Sequence, residues 1–451
     1  MINCVSSSVH RHRDFHTPRL LLTLLFLGLG AGFTACQQDQ SAPQIDRADV
    51  ERIVTTLSAD DMRGRRTFTP GIERAARFIE GEFEQIGLEP LEGLAGYAQD
   101  FQVYVLTPAS QAVVLNGQAL ADDRYFAAVN RETLSWTSVE GIAVQTVGPE
   151  DDLFRMFSSL RGSREQTLVL VDESHQDSFD RLRRRFSGTT RTMEMGQGGN
   201  TVYVVTTEED IRSLNVDITN SVEALDLGNV AGRIIGRRKD EIVLFSAHYD
   251  HLGVRTPVDG DSIANGANDD ASGTTAVIAL AKYFQALGQP ERTLIFAAFT
   301  AEEMGGFGSQ HFSKQLNPDQ IVAMFNIEMI GKPATDGSNT AWITGFERSN
   351  FGEILQQAVD GTPYTFYPDP YPDQNLFYRS DNATLARLGV PAHSISTTPI
   401  DVDQNYHRVT DEAETLDLDH MTNSIMAIAK GAATIVSGEA TPTRVDASQM
   451  R

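Results

Sequence analysis

The sequence predicts an α/β fold: a mostly parallel, mixed sheet flanked by helices, with a smaller β-containing segment inserted. Three observations predict it. The runs EIVLFSA (241–247), TLIFAAF (293–299) and IVAMFNI (321–327) are nearly continuous in apolar residues, as strands buried on both faces are. Between the first two lies SGTTAVIALAKYFQAL (272–287), a helical pattern, so strand and helix alternate as parallel crossovers require. PAHSIS (391–396) supplies a further strand, and the segment from about 414 to 436 supplies a closing helix with Leu416, Met421, Ile425, Ile428 and Ala429 on one side.

The chain divides as follows. Residues 1–35 have the layout of a secretory signal of lipoprotein type: Arg11, Arg13 and Arg19 precede the apolar run 20–35, which is short for a membrane span and ends at Cys36. Residues 37–44 read as a polar tether. Segment 37–102 is the N-terminal part of the main domain, with helical patterns at Ile45, Val50, Ile53, Val54 and Leu57 and again at Ala75, Phe78, Ile79, Phe83 and Ile86, assigned to packing only. Segment 103–225 reads as the inserted β-rich domain, from the short runs QAVVL, GIAVQTV, TLVLVD and TVYVVTT. Segment 226–437 is the main domain resumed, holding the strands and helices above, and 438–451 reads as a flexible tail. The run Arg181, Arg183, Arg184 and Arg185 is read as the solvated face of a helix.

At 451 residues with 41% hydrophobic and 22% charged residues, the composition is that of an ordinary globular protein. The net charge of -24 argues against nucleic acid, which a basic surface must neutralise. Removing the signal, with Arg11, Arg13, Arg19 and Asp14, takes the charge from -24 to -26. Cys4 lies in the signal and Cys36 at its end, so no disulfide pair remains. An exported protein, anchored through Cys36 as a periplasmic or outer-membrane lipoprotein or else secreted, is the expectation.

The chemistry-bearing residues follow the strands. After EIVLFSA come His248 and Asp250; after TLIFAAFT come Glu302 and Glu303; after IVAMFNI comes Glu328; one loop further lies Asp269 in GANDDASG, and His407 precedes the closing helix. Ligand crevices of open α/β sheets lie outside the carboxyl ends of the strands, so these side chains should converge. Two imidazoles with several carboxylates suit zinc, and this many acids suits a pair of metals.

The six stretches SAHYDHLG, GANDDASG, FTAEEMGGFGS, FNIEMIG, YRSDNATLARLGVPA and YHRVTDE, in this order, resemble the zinc-dependent exopeptidase family. That family includes bacterial secreted leucyl aminopeptidases, glutamate carboxypeptidase, glutaminyl cyclase and the catalytically silent transferrin receptor. The resemblance covers about residues 45–102 and 226–436, and the inserted segment sits where many members carry a protease-associated domain. It implies two zinc ions per chain bridged by Asp269, one completed by His248 and Glu328 and the other by Glu303 and His407. It further implies Glu302 as general base and Asp250 as the residue orienting His248. Glu328 departs from the family pattern, which more often has Asp there.

The activity so implied is aminopeptidase hydrolysis of N-terminal residues from peptides, by a metal-bridging hydroxide and a Glu base. The alternatives are a glutaminyl cyclase, a carboxypeptidase or a silent binding protein. His251 is read as a structural hydrogen-bonding residue, and His175, His311, His393 and His420 as structural or surface. The Tyr/Pro-rich segment 363–381 is either a rigid loop or a pocket wall, with Tyr378 a candidate to polarise an oxyanion. Ser380 and Asp381 match a family stretch near the site, but no direct catalytic role follows for either.

Overall fold

The structure, a computed structural model, describes residues 43–160 and 163–450; the expected signal segment, with Cys4 and Cys36, lies outside the described residues. Among the described residues no helix is long and apolar enough to cross a membrane.

One large mixed sheet organises the chain. From one edge its strands run Thr365–Pro368, Thr340–Ile343, Ala392–Ser396, Ile321–Ile327, Arg238–His248, Arg292–Phe299, Leu214–Ile234 and Ala98–Leu115. The central four pair in parallel, as the continuous apolar runs predict. Successive side chains of a strand point to opposite faces, and both faces here are covered. Val243, Phe245 and Ala247 face the helices Arg47–Leu57, Pro70–Ile86, Ser272–Ala286 and Leu418–Val436; Ile242 and Leu244 face the opposite layer with Phe312 and Leu385. Asp46 caps the first helix by accepting from the Ala48 N–H, and Gly87 ends the second in a left-handed conformation with φ 82°.

The segment 103–225 departs from the simple picture of a β-rich insert. Strands Ala98–Leu115 and Leu214–Ile234 pair from Ala98 with Val230 to Leu115 with Leu214, with one register shift between Thr219 and Asn220, so the main sheet itself runs out into the segment as a ribbon. The distal ribbon packs Val113, Val216 and Ile218 against Leu168, Leu170, Val202 and Val204 of a second, four-stranded sheet. That sheet's other face carries Val169, Val171 and Tyr203 against Phe157, Phe179 and Leu182 of the helices Leu153–Leu160 and Gln176–Phe186. Gln176–Phe186 is the helix whose solvated face the arginine run marks, whereas Leu153–Leu160, only two turns long, was not read from the sequence.

The tail also differs from expectation. Arg292 is buried in the sheet, and its guanidinium must find acceptors. It donates to the carbonyls of Ile435 (2.7 Å) and Ala440 (2.6 Å) and to Thr441 Oγ1 (2.5 Å), and pairs with Glu241 at 2.7 Å. Beyond it Val445 is buried, and Arg444 donates to the Ile321 carbonyl at 2.9 Å. Polar composition suggested a loose segment, whereas the demands of a buried cation make it part of the fold. Arg292→Met should therefore lower unfolding free energy in urea by about 2–4 kcal/mol; a loss below about 0.5 kcal/mol would show that the tail is not held this way.

Candidate metal centre

His248 is the last residue of its strand, and its carbonyl accepts from Thr274 Oγ1 at 2.8 Å. The helix starting at Ser272 packs close enough to the neighbouring strand that a Cβ on Gly273 would come within 2.2 Å of the Ile327 carbonyl. Asp270 ties the same corner, accepting from the N–H groups of Gly273 (2.9 Å) and Met329 (3.0 Å). Close packing at the strand ends is what brings the ligand-bearing loops together. Ala301, Met329 and His407 have positive φ values of 59°, 52° and 59°, so the loops around the site hold a backbone region that residues with a Cβ seldom adopt.

The convergence expected from the sequence is present. His248 Nε2 lies 3.3 Å from both Asp269 Oδ1 and Glu328 Oε1, and His407 Nε2 lies 3.2 Å from Asp269 Oδ2 and 3.3 Å from Glu303 Oε2. The two oxygens of Asp269 thus face two separate groups of donors. Zinc bonds of about 2.0–2.1 Å in a tetrahedral arrangement put neighbouring donors about 3.4 Å apart, close to these spacings. Among the described residues Asp269 Oδ2 and Glu303 Oε1 are buried with no well-aligned hydrogen-bond donor, which a cation would remedy. The residues present fit a pair of zinc ions.

His251 has a larger place than the sequence suggested. It is fully buried, with Nδ1 2.9 Å from Glu303 Oε1 and 3.8 Å from Asp269 Oδ2, and among the described residues Nε2 has no hydrogen-bond partner. It stands beside the second group of donors together with His407, whose ring centroid is 6.0 Å away. The signal for it was its position three residues after His248, in the same strand-end loop.

Asp250 differs in detail from the implied role. His248 Nδ1 is 3.1 Å from the Asp250 main-chain carbonyl and 3.7 Å from its carboxylate, so the carbonyl is the nearer partner. The carboxylate instead accepts from the Glu302 N–H at 3.0 Å, fixing the backbone of that loop. Ser380 positions a candidate ligand. Its hydroxyl donates to Glu328 Oε2 at 2.6 Å and accepts from Asn326 Nδ2 at 2.8 Å, leaving Glu328 Oε1 turned to His248. Tyr378 packs on Phe377 with Arg348 above it. The aromatic ring at the site is Tyr406, stacked on His407 with centroids 3.9 Å apart.

Arg65 and Asp411 were missed altogether. Arg65 is fully buried and donates to the carbonyls of Leu57, Tyr249, Asn265 and Gly266 at 2.6–2.8 Å, joining the first helix to both loops that carry His248 and Asp269. Asp411 accepts from the N–H groups of Asn268 (3.1 Å) and Asp269 (3.0 Å). No sequence spacing marks an arginine so far along the chain from the loops it holds, and Asp411 was hidden within a motif whose histidine drew the attention.

Burial shapes the protonation of this cluster. It pushes the Asp250 carboxyl up to about 7 and those of Asp381 and Asp411 up to about 6, and raises Glu302 well above the usual range. Burial pulls His407 down, but the Asp269 and Glu303 carboxylates overcome it and raise the imidazole to about 10. Asp269 is held well below its ordinary range against burial by His251, His248 and His407.

Comparison with known proteins now adds a family. Residues 229–432 match the model of peptidase family M28, a span holding every candidate ligand. Over that span the chain is similar to peptidase family M28. A probable leucine aminopeptidase 1 from Trichophyton verrucosum is 29% identical over 198 residues, 41% of this chain and 52% of that protein. A probable zinc metalloprotease from Pyrenophora tritici-repentis is 34% identical over 103 residues, 22% of this chain and 23% of that protein. The chain therefore spans about half the length of the first of these relatives and about a quarter of the second. Among solved structures, BSAP, a zinc aminopeptidase from Bacillus subtilis, matches with a TM-score of 0.52 at 15% identity, over 91% of this chain and 99% of that one. That likeness shows the fold. The matched span begins at 229, so Arg65 reaches into it from the N-terminal helices.

Metal binding and protonation compete here. In the metal-free protein Asp250 and His407 hold protons in the folded state above their unfolded values near 3.8 and 6.5. The folded state then binds more protons than the unfolded one across pH 6–9, so metal-free stability should fall as pH rises through that window. Zinc must displace those protons, so the rise in melting temperature on adding zinc should be larger at pH 8 than at pH 6. Scanning calorimetry of chelated and zinc-loaded protein at both pH values checks this; equal zinc-induced shifts would contradict it.

Proposed function

We propose that this protein is a zinc-dependent aminopeptidase that hydrolyses the N-terminal residue from peptides. The observation that carries the reading is the Asp269 carboxylate, whose oxygens face His248 and Glu328 on one side and Glu303, His407 and His251 on the other. His248, Asp269 and Glu328 would hold one zinc ion, and Asp269, Glu303 and His407 the other. When bound, the pair supplies Lewis-acid polarisation of the scissile carbonyl and lowers the pKa of a water to about 7.

The remaining chemistry falls to this chain's own residues. Glu302 is half-buried, adjoins Glu303 and is fixed at its backbone by Asp250; its carboxylate would take the attacking water's proton and hand it to the leaving amine. The raised Glu302 carboxyl suits that exchange, because a base that must also act as an acid works best near neutrality. Ser380 and Asp411 hold Glu328 and Asp269 in place, and Tyr406 covers His407. The names of the relatives, leucine aminopeptidase and zinc metalloprotease, support the same class of reaction.

Glu302→Gln should keep about two zinc ions per chain while kcat on aminoacyl anilides falls by about 10²–10⁴-fold. Metal content by elemental analysis and initial rates decide it, and a variant turning over within about threefold of the parent would remove Glu302 from the base role.

We further infer export, with Cys36 as the lipid-bearing N-terminus of the mature chain. Arg11, Arg13 and Arg19 ahead of the apolar run 20–35, and the small residues Thr34 and Ala35 before Cys36, support this. The mass of the mature N-terminal peptide tests it: a diacylated or triacylated Cys36 is expected, and a mature chain retaining residues 1–35 would contradict it.

A further inference from the structure

A cavity opens beside Glu328, and its walls are largely apolar: Met329, Trp342, Leu376, Ile400 and Tyr406. Arg379 stands among them. In this chain Asp and Glu outnumber Lys and Arg 61 to 37, so a cation is seldom short of a carboxylate. Neighbouring cations are committed elsewhere: Lys332 pairs with Asp403 at 2.7 Å, and the Arg348 guanidinium lies 4.8 Å over the Phe377 ring. Arg379 is different. Among the described residues its side chain makes one hydrogen bond, to the neutral Gln374 Oε1 at 3.3 Å, and no ion pair.

An exposed arginine without a partner is ordinary on a surface. One lining an apolar cavity that adjoins candidate metal ligands, on a protein whose overall field repels anions, is placed to reverse that field locally. The guanidinium fork matches a carboxylate with two parallel N–H···O bonds. Trp342, Leu376 and Ile400 would meanwhile cover the methylene stem that carries the carboxylate.

We propose that Arg379 selects substrates bearing a carboxylate close to the bond that is cut, either the side chain of an acidic first residue or the free carboxyl terminus of a dipeptide. The proposal rests on the aminopeptidase reading and names its substrate class. Arg379 touches the substrate's recognition group and takes no part in the proton transfers assigned to Glu302.

Two isosteric substrate pairs separate the sources of the carboxylate: glutamyl against glutaminyl p-nitroanilide for a side chain, and Leu-Gly against Leu-Gly-amide for a chain terminus. In the zinc-loaded parent, kcat/KM should favour the charged member of one pair by about tenfold, the pair that responds identifying the source. Arg379→Gln should bring that ratio to within about twofold of one, and Arg379→Glu should invert it. Parent ratios near one in both pairs, or ratios unmoved in Arg379→Gln, would overturn the proposal. The same comparison, read as Kd by calorimetry with glutamic acid α-amide, glutamine α-amide, Leu-Gly and Leu-Gly-amide on zinc-loaded Glu302→Gln protein, needs no turnover. If the parent cleaves no aminoacyl substrate, the aminopeptidase reading fails while those Kd ratios still decide the role of Arg379.

Discussion

The structure depends on how the segment carrying Asp269 is fastened. Its N–H is held by Asp411, the preceding carbonyls of Asn265 and Gly266 by Arg65, and the following Asp270 carboxylate grips the N–H groups of Gly273 and Met329. Asn268 adds a bond from its side-chain amide to Thr398 and accepts from the Gly331 N–H. Distant parts of the chain therefore meet on one short stretch. A carboxylate shared by two cations has to be placed from both sides at once, and a loop held only by its own turn could not do so.

Charge makes that fastening necessary. Asp250, Asp269, Asp270, Glu302, Glu303, Glu328, Asp381 and Asp411 gather at the ends of the parallel strands, most of them buried. Left alone, such a group repels itself and gives up its ionised state, which is why several of its carboxyls are pushed upward. Histidines and the buried Arg65 offset part of the charge, and divalent cations would offset the rest. The need for metal is thus a property of the folded carboxylate cluster as much as of any one ligand. The inferred role of Arg379 extends the same balance outward, with a cation that makes no ion pair among the described residues where a substrate's own carboxylate would arrive.

Much of this was legible in the sequence, because the two features that matter leave local marks. Strands buried on both faces read as unbroken apolar runs, and the residues just past them, His248, Glu302, Glu303 and Glu328, are polar in a way that burial would otherwise forbid. What the sequence hid was long-range. Arg65 lies in a turn whose neighbours are also charged, and only the fold reveals that its guanidinium is enclosed by main-chain carbonyls. His251 read as a structural hydrogen-bonding residue, yet it faces Glu303 among the candidate ligands. The polar tail looked loose until Arg292 was seen to need its carbonyls, and the ribbon leading into the inserted segment was obscured because its two strands lie far apart in the chain.

The central claim is that Asp269 stands between two zinc ions. Anomalous diffraction at the zinc absorption edge, from crystals grown with zinc, measures this directly. The account predicts two peaks roughly 3.5–4 Å apart on either side of the Asp269 carboxylate, one beside His248 and Glu328 and the other beside Glu303 and His407. A single peak away from Asp269, or zinc bound with the Asp269 oxygens turned elsewhere, would contradict it.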